Sequence, residues 1–351
     1  MKKILFSVVF FITGVWAVAQ IPPGYYDSAY YLSGESLRVA LHNIIKNHTA
    51  ISYTQLWNAF QNTDKKPNNK VWDIYSDIPG GTPPYEFTFV SDQCGSYSSE
   101  GDCYNREHSF PQNWFDDSSP VYSDLFHMYP TDGYVNNKRG NLPFGDVGSA
   151  SWTSQNGSKI GNCSNAGYSN TVFEPIDAFK GDLARSYFYI AVRYYGEAGS
   201  WPGSDMTINA EPKPWAINML LAWHANDTVS QKEIDRNNAI YNIQHNRNPF
   251  IDHPDWVWNI WGPNVGVQEY ADVFEVSVYP NPATDYVYVS SISGQIVDRI
   301  EIYSLTSALV GSFQYPGEGQ SINVSNLPEG FYTMAIHSNG RVSHNKISII
   351  H

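Results

Sequence analysis

The chain has 351 residues, a length that suggests about two domains. Hydrophobic residues make up 42% of it and charged residues only 16%, which favours a folded protein over a disordered one. The 21 basic and 34 acidic residues give a formal net charge of −13. This charge excludes a protein that holds nucleic acid on a broadly basic surface, but it is compatible with a local, metal-assisted site for a polyanion.

Residues 1–19 have the pattern of a secretory signal peptide. Two lysines precede an apolar run that starts at Ile4, and Ala17 and Ala19 supply the small residues of a cleavage site. The alternative is a membrane anchor, but the run is short for a membrane span. We therefore expect a secreted or cell-surface protein without stable membrane insertion.

Export permits a disulfide between two of the three cysteines, Cys94, Cys103 and Cys163. Cys94 and Cys103 are close in sequence and are a possible pair. The sequence alone does not say which thiol is left over. No pair of cysteines has zinc-finger spacing.

Residues 20–262 are predicted to form a mainly helical domain with long connections. Leu37 and Leu41 fall on one face of a helix, and Ser52 with Gln55 forms a capping box at the start of another. Further helices are predicted from residue 182, over 215–224, and after a second capping box at 230–233. Residues 63–175 are rich in Gly, Pro, Asn and Ser, and long irregular segments of this kind are usually functional.

The pattern changes after a predicted linker at 263–273. Residues 274–351 contain short alternating stretches separated by turn residues, which indicate a small all-β sandwich. Predicted strands cover 276–278, 286–289, 300–302, 331–336 and 347–349.

Three motifs of this region occur in order: VYPNPA at 278–283, LPEGFY at 327–332 and KISI at 346–349. Together they resemble the C-terminal sorting domain of the type IX secretion system. The resemblance implies that the domain is an export address and that its partner is the secretion machinery. The alternative is an accessory sandwich that binds sugar or protein.

Two stretches in the irregular region carry reactive residues: YNREHSFP at 104–111 and DLFHMYPTDGYVNNKRGN at 124–141. Hydrolysis of a phosphodiester needs a base for water, which suits histidine, and positive charge on the phosphate, which suits Mg²⁺ and arginine. Glu107 and His108 are adjacent, so on an extended strand their side chains point to opposite faces. Asn136 could lie on a short helix against that strand and share a Mg²⁺ ion with Glu107.

Each residue also has an ordinary structural interpretation. A Glu-His pair occurs by chance in many proteins, and a lone histidine is more often structural than catalytic. Asn136 could be a turn residue, and Arg139 could form only an ion pair.

The two stretches resemble bacterial endonuclease I, a periplasmic or secreted nuclease family with a ββα-metal active site. The similarity continues at 173–182 (FEPIDAFKGD), at 184–189 (ARSYFY) and at 246–254 (NRNPFIDHP), so that it covers residues 30–260. The resemblance implies an α+β catalytic domain with an embedded ββα-metal motif. It also implies cleavage that leaves 5′-phosphates.

The family's roles transfer to matching positions. His108 would be the general base, and Glu107 and Asn136 would bind Mg²⁺, with Mn²⁺ or Ca²⁺ as possible substitutes. The arginine at the scissile phosphate would be Arg185 or Arg139, with a slight preference for Arg185.

Other matching residues would support the site. Asp124 and His127 would hold the frame by hydrogen bonds, Arg106 would be structural, and Asn141 would support the metal ligands. Arg247 and Asn248, with Asn246, would either contact the substrate backbone or lock the last helix. Lys138 and Lys180 would bind substrate, and the cations at 138, 139, 180, 185, 193 and 247 are expected to cluster in part on one face.

The sequence thus predicts a secreted, Mg²⁺-dependent, non-specific endonuclease that acts on DNA, with RNA as a further candidate substrate. Aromatic residues near the cleft could stack on unpaired bases. The alternatives are another metal-dependent hydrolase, such as a phosphatase or peptidase, and a secreted adhesin or glycan-binding protein. The chain lacks the His-Glu-x-x-His and Gly-x-Ser-x-Gly signatures of common hydrolases.

Overall fold

The computed structural model describes residues 21–262, 276–291, 297–304, 308–314, 321–338 and 341–351. The chain divides into two compact units, residues 1–265 and 266–351. The predicted signal peptide (1–19) and the predicted linker (263–273) lie outside the described residues.

The first unit mixes helices with small sheets. In chain order its elements are α1 (Gly34–Ile45), α2 (Leu56–Thr63), β1 (Tyr104–His108), β2 (Met128–Asp132), α3 (Gly133–Arg139), β3 (Val147–Thr153), β4 (Lys159–Cys163), β5 (Thr171–Glu174), α4 (Lys180–Arg193), β6 (Thr207–Ile208), β7 (Glu211–Pro212), α5 (Pro214–Asn226), α6 (Gln231–Gln244), α7 (Pro249–Asp252) and α8 (Trp256–Trp261).

The helices follow the predicted patterns closely. Helix α1 buries Leu37 and Leu41, and both capping boxes form, at the turn before α2 and at the start of α6. Each such cap contributes about 1 kcal/mol because it satisfies backbone N–H groups that have no partner within the helix. Helix α4 begins at Lys180, two residues before the predicted start.

The prediction of a mainly helical domain is not confirmed. Over both units together, helix and strand make up 30% and 26% of the described residues. The first unit contains the pair β1–β2, the sheet β3–β4–β5 and the pair β6–β7. Strand β3 was not predicted because most of its side chains are exposed, so it lacks the alternation that a half-buried strand shows.

Helix α4 is central to the hydrophobic core of the first unit. All its residues from Gly181 to Arg193 are buried, and it packs against α1, α5 and α7. Aromatic side chains such as Tyr187 and Phe188 fill the space between these helices. Because one face of α4 also contacts the segment after β1, the core fixes the position of that strand.

The second unit is an all-β unit, as predicted. Its elements are β8 (Val276–Tyr279), β9 (Tyr286–Ser291), β10 (Arg299–Ser304), β11 (Leu309–Gln314), β12 (Ser321–Asn323), β13 (Gly330–Ser338) and β14 (Arg341–Ile349). The strands form two sheets, in the orders β11-β10-β13-β14 and β12-β9-β8. Side chains from both sheets, including Val287, Ile300 and Met334, share one core.

Among the described residues, no helix is long and apolar enough to cross a bilayer.

Candidate active site

Two antiparallel strands and a short helix build the site. Strand β1 pairs with β2 so that Tyr104 lies opposite Asp132 and His108 lies opposite Met128. Helix α3 starts directly after β2, where the Asp132 carboxylate accepts a hydrogen bond of 2.8 Å from the backbone N–H of Val135. Because β2 runs antiparallel to β1, the helix that follows β2 lies beside β1.

The side chains of β1 alternate between two environments, as an extended strand requires. Arg106 and His108 both contact Tyr53: the guanidinium carbon lies 3.7 Å from the ring centre, and the imidazole stacks at 5.7 Å with an angle of 13°. Glu107 points away from Tyr53 and contacts Tyr75 instead. Glu107 and His108 thus lie on opposite faces of β1.

Glu107 is almost completely buried, with 2% of its surface exposed. Its Oε1 accepts hydrogen bonds from the Tyr75 hydroxyl at 2.8 Å and from Nη1 of Arg139 at 2.9 Å. Burial raises the pKa of this carboxyl, and the positive charge of Arg139 opposes that shift. Its Oε2 has no hydrogen-bond partner among the described residues.

Asn136 connects α3 to β1. Its Nδ2 donates a hydrogen bond of 3.3 Å to the carbonyl of Arg106, the residue before Glu107. Among the described residues nothing donates to its Oδ1. The carboxylate oxygen of Glu107 and the amide oxygen of Asn136 are hard ligands of the type that Mg²⁺ prefers, so these two residues fit a magnesium site.

A site with more acidic or histidine ligands is not found. In the part of the chain that the structure describes, no group of three or more His, Cys, Asp or Glu side chains is arranged to hold a metal ion. Mg²⁺ commonly keeps several waters and needs only one or two protein ligands. The side-chain oxygens of Glu107 on β1 and Asn136 on α3 are therefore candidate ligands.

His108 is held by the backbone. Its Nε2 lies 3.0 Å from the carbonyl of Tyr122, and because a carbonyl only accepts, Nε2 carries the proton. Burial, followed by the neighbouring His127, lowers the pKa of His108 to about 3. The ring is therefore neutral near pH 7, and its Nδ1 carries a lone pair that no described residue uses.

The two candidate arginines lie in different environments. Arg139 is 1% exposed and donates to the carbonyls of His108 and Ser109, each at 2.8 Å, as well as to Glu107. Arg185 is fully buried, where Glu233 and Asp182 neutralise it. The structure brings Arg139, and not Arg185, to Glu107, so the preference for Arg185 is not supported.

The predicted cluster of cations does not form an exposed basic face. Arg193 pairs with Glu197, and Arg247 pairs with Asp252, and both arginines are buried. The ammonium group of Lys180 contacts three carboxylates, those of residues 146, 174 and 177. These cations form ion pairs within the fold, so they do not support the expectation of a basic face.

Lys138 and Asn141 lie near the end of α3 and are exposed. The Lys138 ammonium lies 5.3 Å from the centre of the Tyr134 ring. Lys138 is therefore accessible to a substrate, whereas Asn141 has no described contact with Glu107 or Asn136.

Asp124 and His127 belong to the frame around His108. Asp124 accepts hydrogen bonds from the Tyr189 hydroxyl at 2.8 Å and from the Tyr194 hydroxyl at 2.9 Å. Nε2 of His127 donates to the Val121 carbonyl at 2.7 Å, since a carbonyl only accepts. These contacts favour a structural role for both residues.

The segment at 246–248 is also held internally. The Asn248 side chain caps α7 by accepting from the backbone N–H of Phe250 at 3.0 Å, and its Nδ2 donates to the carbonyl of Arg185 at 3.0 Å. Asn246 donates to the Tyr189 hydroxyl at 2.8 Å. Of the two roles considered for these residues, locking the last helices has the stronger support.

Several neighbours of the site could not be predicted from the sequence. Tyr75 orients Glu107, while Tyr53 and Trp57 support Arg106. None of these three residues belongs to a recognisable motif. The only sequence signal near them is the capping box at Ser52, the residue before Tyr53. Cys94 and Cys103 form the predicted disulfide, which leaves Cys163 as a buried free thiol.

Comparison with known proteins gives a consistent result. The family model described as Endonuclease I matches residues 33–255, and the model described as Secretion system C-terminal sorting domain matches 277–350. The chain is 39% identical over 246 residues to an extracellular ribonuclease of Bacillus amyloliquefaciens, a match that covers 68% of this chain and 78% of the relative.

An extracellular ribonuclease of Bacillus subtilis (strain 168) is 36% identical over 247 residues, with the same coverage of both chains. Endonuclease-1 of Buchnera aphidicola subsp. Baizongia pistaciae (strain Bp) is 26% identical over 132 residues, which is 37% of this chain and 46% of the relative. The match to the family model spans more than half of the chain and contains the whole β1–β2–α3 site. The chain therefore belongs to the Endonuclease I family, as a secreted or cell-surface nuclease with a C-terminal sorting domain.

Proposed function

We propose that this protein is a sequence-independent endonuclease that hydrolyses phosphodiester bonds of DNA and RNA with one Mg²⁺ ion and leaves 5′-phosphates. The names of two relatives, both extracellular ribonucleases, support activity on RNA, and the name endonuclease of a third supports internal cleavage of the strand. The β1–β2–α3 unit serves as a ββα-metal motif in this proposal. The sorting domain directs the chain to the secretion machinery.

The observation that carries the proposal is the state of His108. The Tyr122 carbonyl fixes the ring and keeps the proton on Nε2, so the free Nδ1 can accept a proton from an attacking water. Burial lowers the pKa of His108, so the imidazole is neutral at neutral pH. The ring needs no further deprotonation before it acts as a base.

Glu107 and Asn136 would hold the Mg²⁺ ion on the opposite side of β1. When bound, the ion supplies positive charge that stabilises the phosphate and the departing oxygen. Mn²⁺ and Ca²⁺ accept the same oxygen ligands and are candidate substitutes. Tyr75 and Arg139 both contact Oε1 of Glu107, which leaves Oε2 for the ion.

The test is incubation of the full chain with supercoiled plasmid, RNA, casein and a phosphomonoester, each with Mg²⁺ and with EDTA. We expect cleavage of plasmid and RNA in Mg²⁺ only. His108→Ala should abolish cleavage while the protein stays folded. His245→Asn is the matched control, because His245 is exposed at the end of α6 in a left-handed conformation that asparagine tolerates.

Other results would contradict the proposal. Full activity of His108→Ala in excess Mg²⁺ would exclude the histidine as the base. Hydrolysis of casein or the phosphomonoester with intact nucleic acid would indicate another metal-dependent hydrolase. Saturable glycan binding without any hydrolysis would indicate an adhesin.

A further inference from the structure

One arginine of the first unit differs from the rest. Within residues 21–262, Arg106 is the only arginine without a carboxylate partner. The others pair as Arg38–Glu211, Arg139–Glu107, Arg185–Glu233, Arg193–Glu197, Arg236–Asp64 and Arg247–Asp252. Arg106 is thus an arginine that no carboxylate neutralises, in a chain whose net charge is −13.

The guanidinium of Arg106 is nevertheless fixed. It lies over two rings, 3.7 Å from the centre of Tyr53 and 4.4 Å from that of Trp57. Its Nη1 donates to the carbonyl of Tyr53 at 3.0 Å. The side chain is half-buried, so its orientation is set before any ligand arrives.

The opposite edge of the same guanidinium has no partner. The Nε atom is buried without a hydrogen bond, and Nη2 has none among the described residues. Nε and Nη2 form the edge of an arginine that binds phosphate through two parallel hydrogen bonds. A partly desolvated cation with an unused fork is a suitable partner for an anion.

The position of Arg106 on β1 places it close to His108, the proposed base. Arg106 and His108 are two residues apart on β1, so their Cα atoms are about 7 Å apart and their side chains share a face. Both contact the ring of Tyr53. An anion at Arg106 would therefore lie beside His108.

We infer that Arg106, supported by Tyr53 and Trp57, binds a phosphate of the nucleic-acid strand next to His108. The inference rests on the proposed function, since the phosphate belongs to the substrate that His108 acts on. It gives Arg106 a direct contact with substrate, in place of the structural role expected from the sequence. Arg139 then positions Glu107, and Arg106 supplies the positive charge on the other face of β1.

Binding can be measured without cleavage. A fluorescent single-stranded oligonucleotide is titrated in EDTA with wild type, Arg106→Met and Arg106→Lys, at salt concentrations from about 50 to about 300 mM. Methionine keeps an apolar stem on the two rings and removes the charge. A gel confirms that the oligonucleotide stays intact, and circular dichroism confirms that each variant is folded.

We expect Arg106→Met to weaken binding at least about tenfold at low salt, as the loss of a charged hydrogen bond predicts. The slope of log K against log salt should fall by about 0.7, the value for one phosphate contact on a single strand. Arg106→Lys should restore the slope and only part of the affinity, because lysine lacks the fork. In the presence of Mg²⁺, kcat/KM should be highest for wild type, lower for Arg106→Lys and lowest for Arg106→Met.

Arg38→Lys and Arg38→Met are the matched controls, because Arg38 also lies over two rings, those of Tyr195 and Trp261, but is paired with Glu211. They should leave affinity and slope unchanged. The inference is overturned if Arg106→Met binds the oligonucleotide with the wild-type salt slope. It is also overturned if the Arg38 variants lose as much affinity as the Arg106 variants. A wild type that fails to cleave plasmid in Mg²⁺ would instead contradict the proposed function, so the two failures are distinguishable.

Discussion

Nη1 of Arg139 donates a hydrogen bond of 2.9 Å to Oε1 of Glu107, and the two side chains are 0% and 3% exposed. The same guanidinium donates to the carbonyls of His108 and Ser109, just where β1 ends. The last residue of α3 therefore fixes both the carboxylate and the end of the strand. Strand β1 and helix α3 are thus connected by one buried cation.

Arg139→Met should be strongly destabilising. It leaves the buried Glu107 carboxylate without its counter-charge and removes two donors from backbone carbonyls, a change that costs about 3–5 kcal/mol. Urea denaturation measures the free energy of unfolding. Arg38→Met is the comparison, because the Arg38–Glu211 pair is more exposed and should contribute about 0–1 kcal/mol. If Arg139→Met and Arg38→Met lower the free energy of unfolding equally, the Arg139–Glu107 pair has no special role in stability.

Metal affinity should depend on Glu107 and Asn136 together. Glu107→Gln removes the negative charge and Asn136→Ala removes the amide oxygen, so each should weaken Mg²⁺ binding at least about tenfold. Isothermal titration of the protein with MgCl₂, without nucleic acid, measures this directly. Asn137→Ala is the control on the next position of α3, where the side chain is exposed. Unchanged affinity in Glu107→Gln would remove that residue from the metal site.

The sequence predicted what depends on local pattern. The capping box at Ser52 forms as expected, and the alternation along β1 separates Glu107 from His108. Both features follow from the geometry of a few consecutive residues, so they can be derived without knowing the tertiary structure.

What the sequence did not predict depends on distant residues. Arg185 lies on a helix as expected. Its charge is neutralised in the interior by Glu233, which lies on another helix. Tyr53 contacts Arg106 from a segment far earlier in the chain. Such pairings follow from how distant segments pack, which no local motif encodes. The contacts of Arg106 with Tyr53 and Trp57 could therefore not be predicted from the sequence.

The Cys94–Cys103 disulfide should stabilise the approach to β1. The two cysteines are nine residues apart, and for a loop of this size the chain-entropy account gives about 2–3 kcal/mol. The carbonyl of Cys103 also accepts from the backbone N–H of Gly133 at 2.9 Å, so the loop is tied to the start of α3. The double variant Cys94→Ala/Cys103→Ala should have a lower Tm than wild type.

Reduction provides the control for this variant. A reductant should lower the Tm of wild type and leave that of the double variant unchanged, because the variant has no bond to lose. A wild-type Tm that does not respond to reductant, with the loss of the disulfide verified by thiol counting, would show that the bond contributes nothing to stability.

Asp73 should make stability depend on pH. It is fully buried, and burial, together with the nearby charge of Asp132, raises its pKa to about 8. The unfolded chain releases this proton at about pH 3.9, so between about pH 4 and pH 8 the folded state binds more protons than the unfolded state. The contribution of Asp73 to the free energy of unfolding therefore falls as pH rises through this window and is constant above it.

Asp73→Asn removes this titration and keeps an oxygen that can accept from the backbone N–H of Tyr75. Relative to wild type, the variant should therefore become steadily more stable between about pH 5 and pH 8, as measured by urea denaturation. Asp102→Asn is the control, because hydrogen bonds from Ser98 and Ser99 lower the pKa of Asp102 to about 2, below this range. Its stability relative to wild type should not change with pH. If the difference in stability between Asp73→Asn and wild type is also constant from about pH 5 to pH 8, then Asp73 is ionised in the folded protein over this whole range. The backbone N–H groups of Tyr75 and Asp132 would then stabilise its charge.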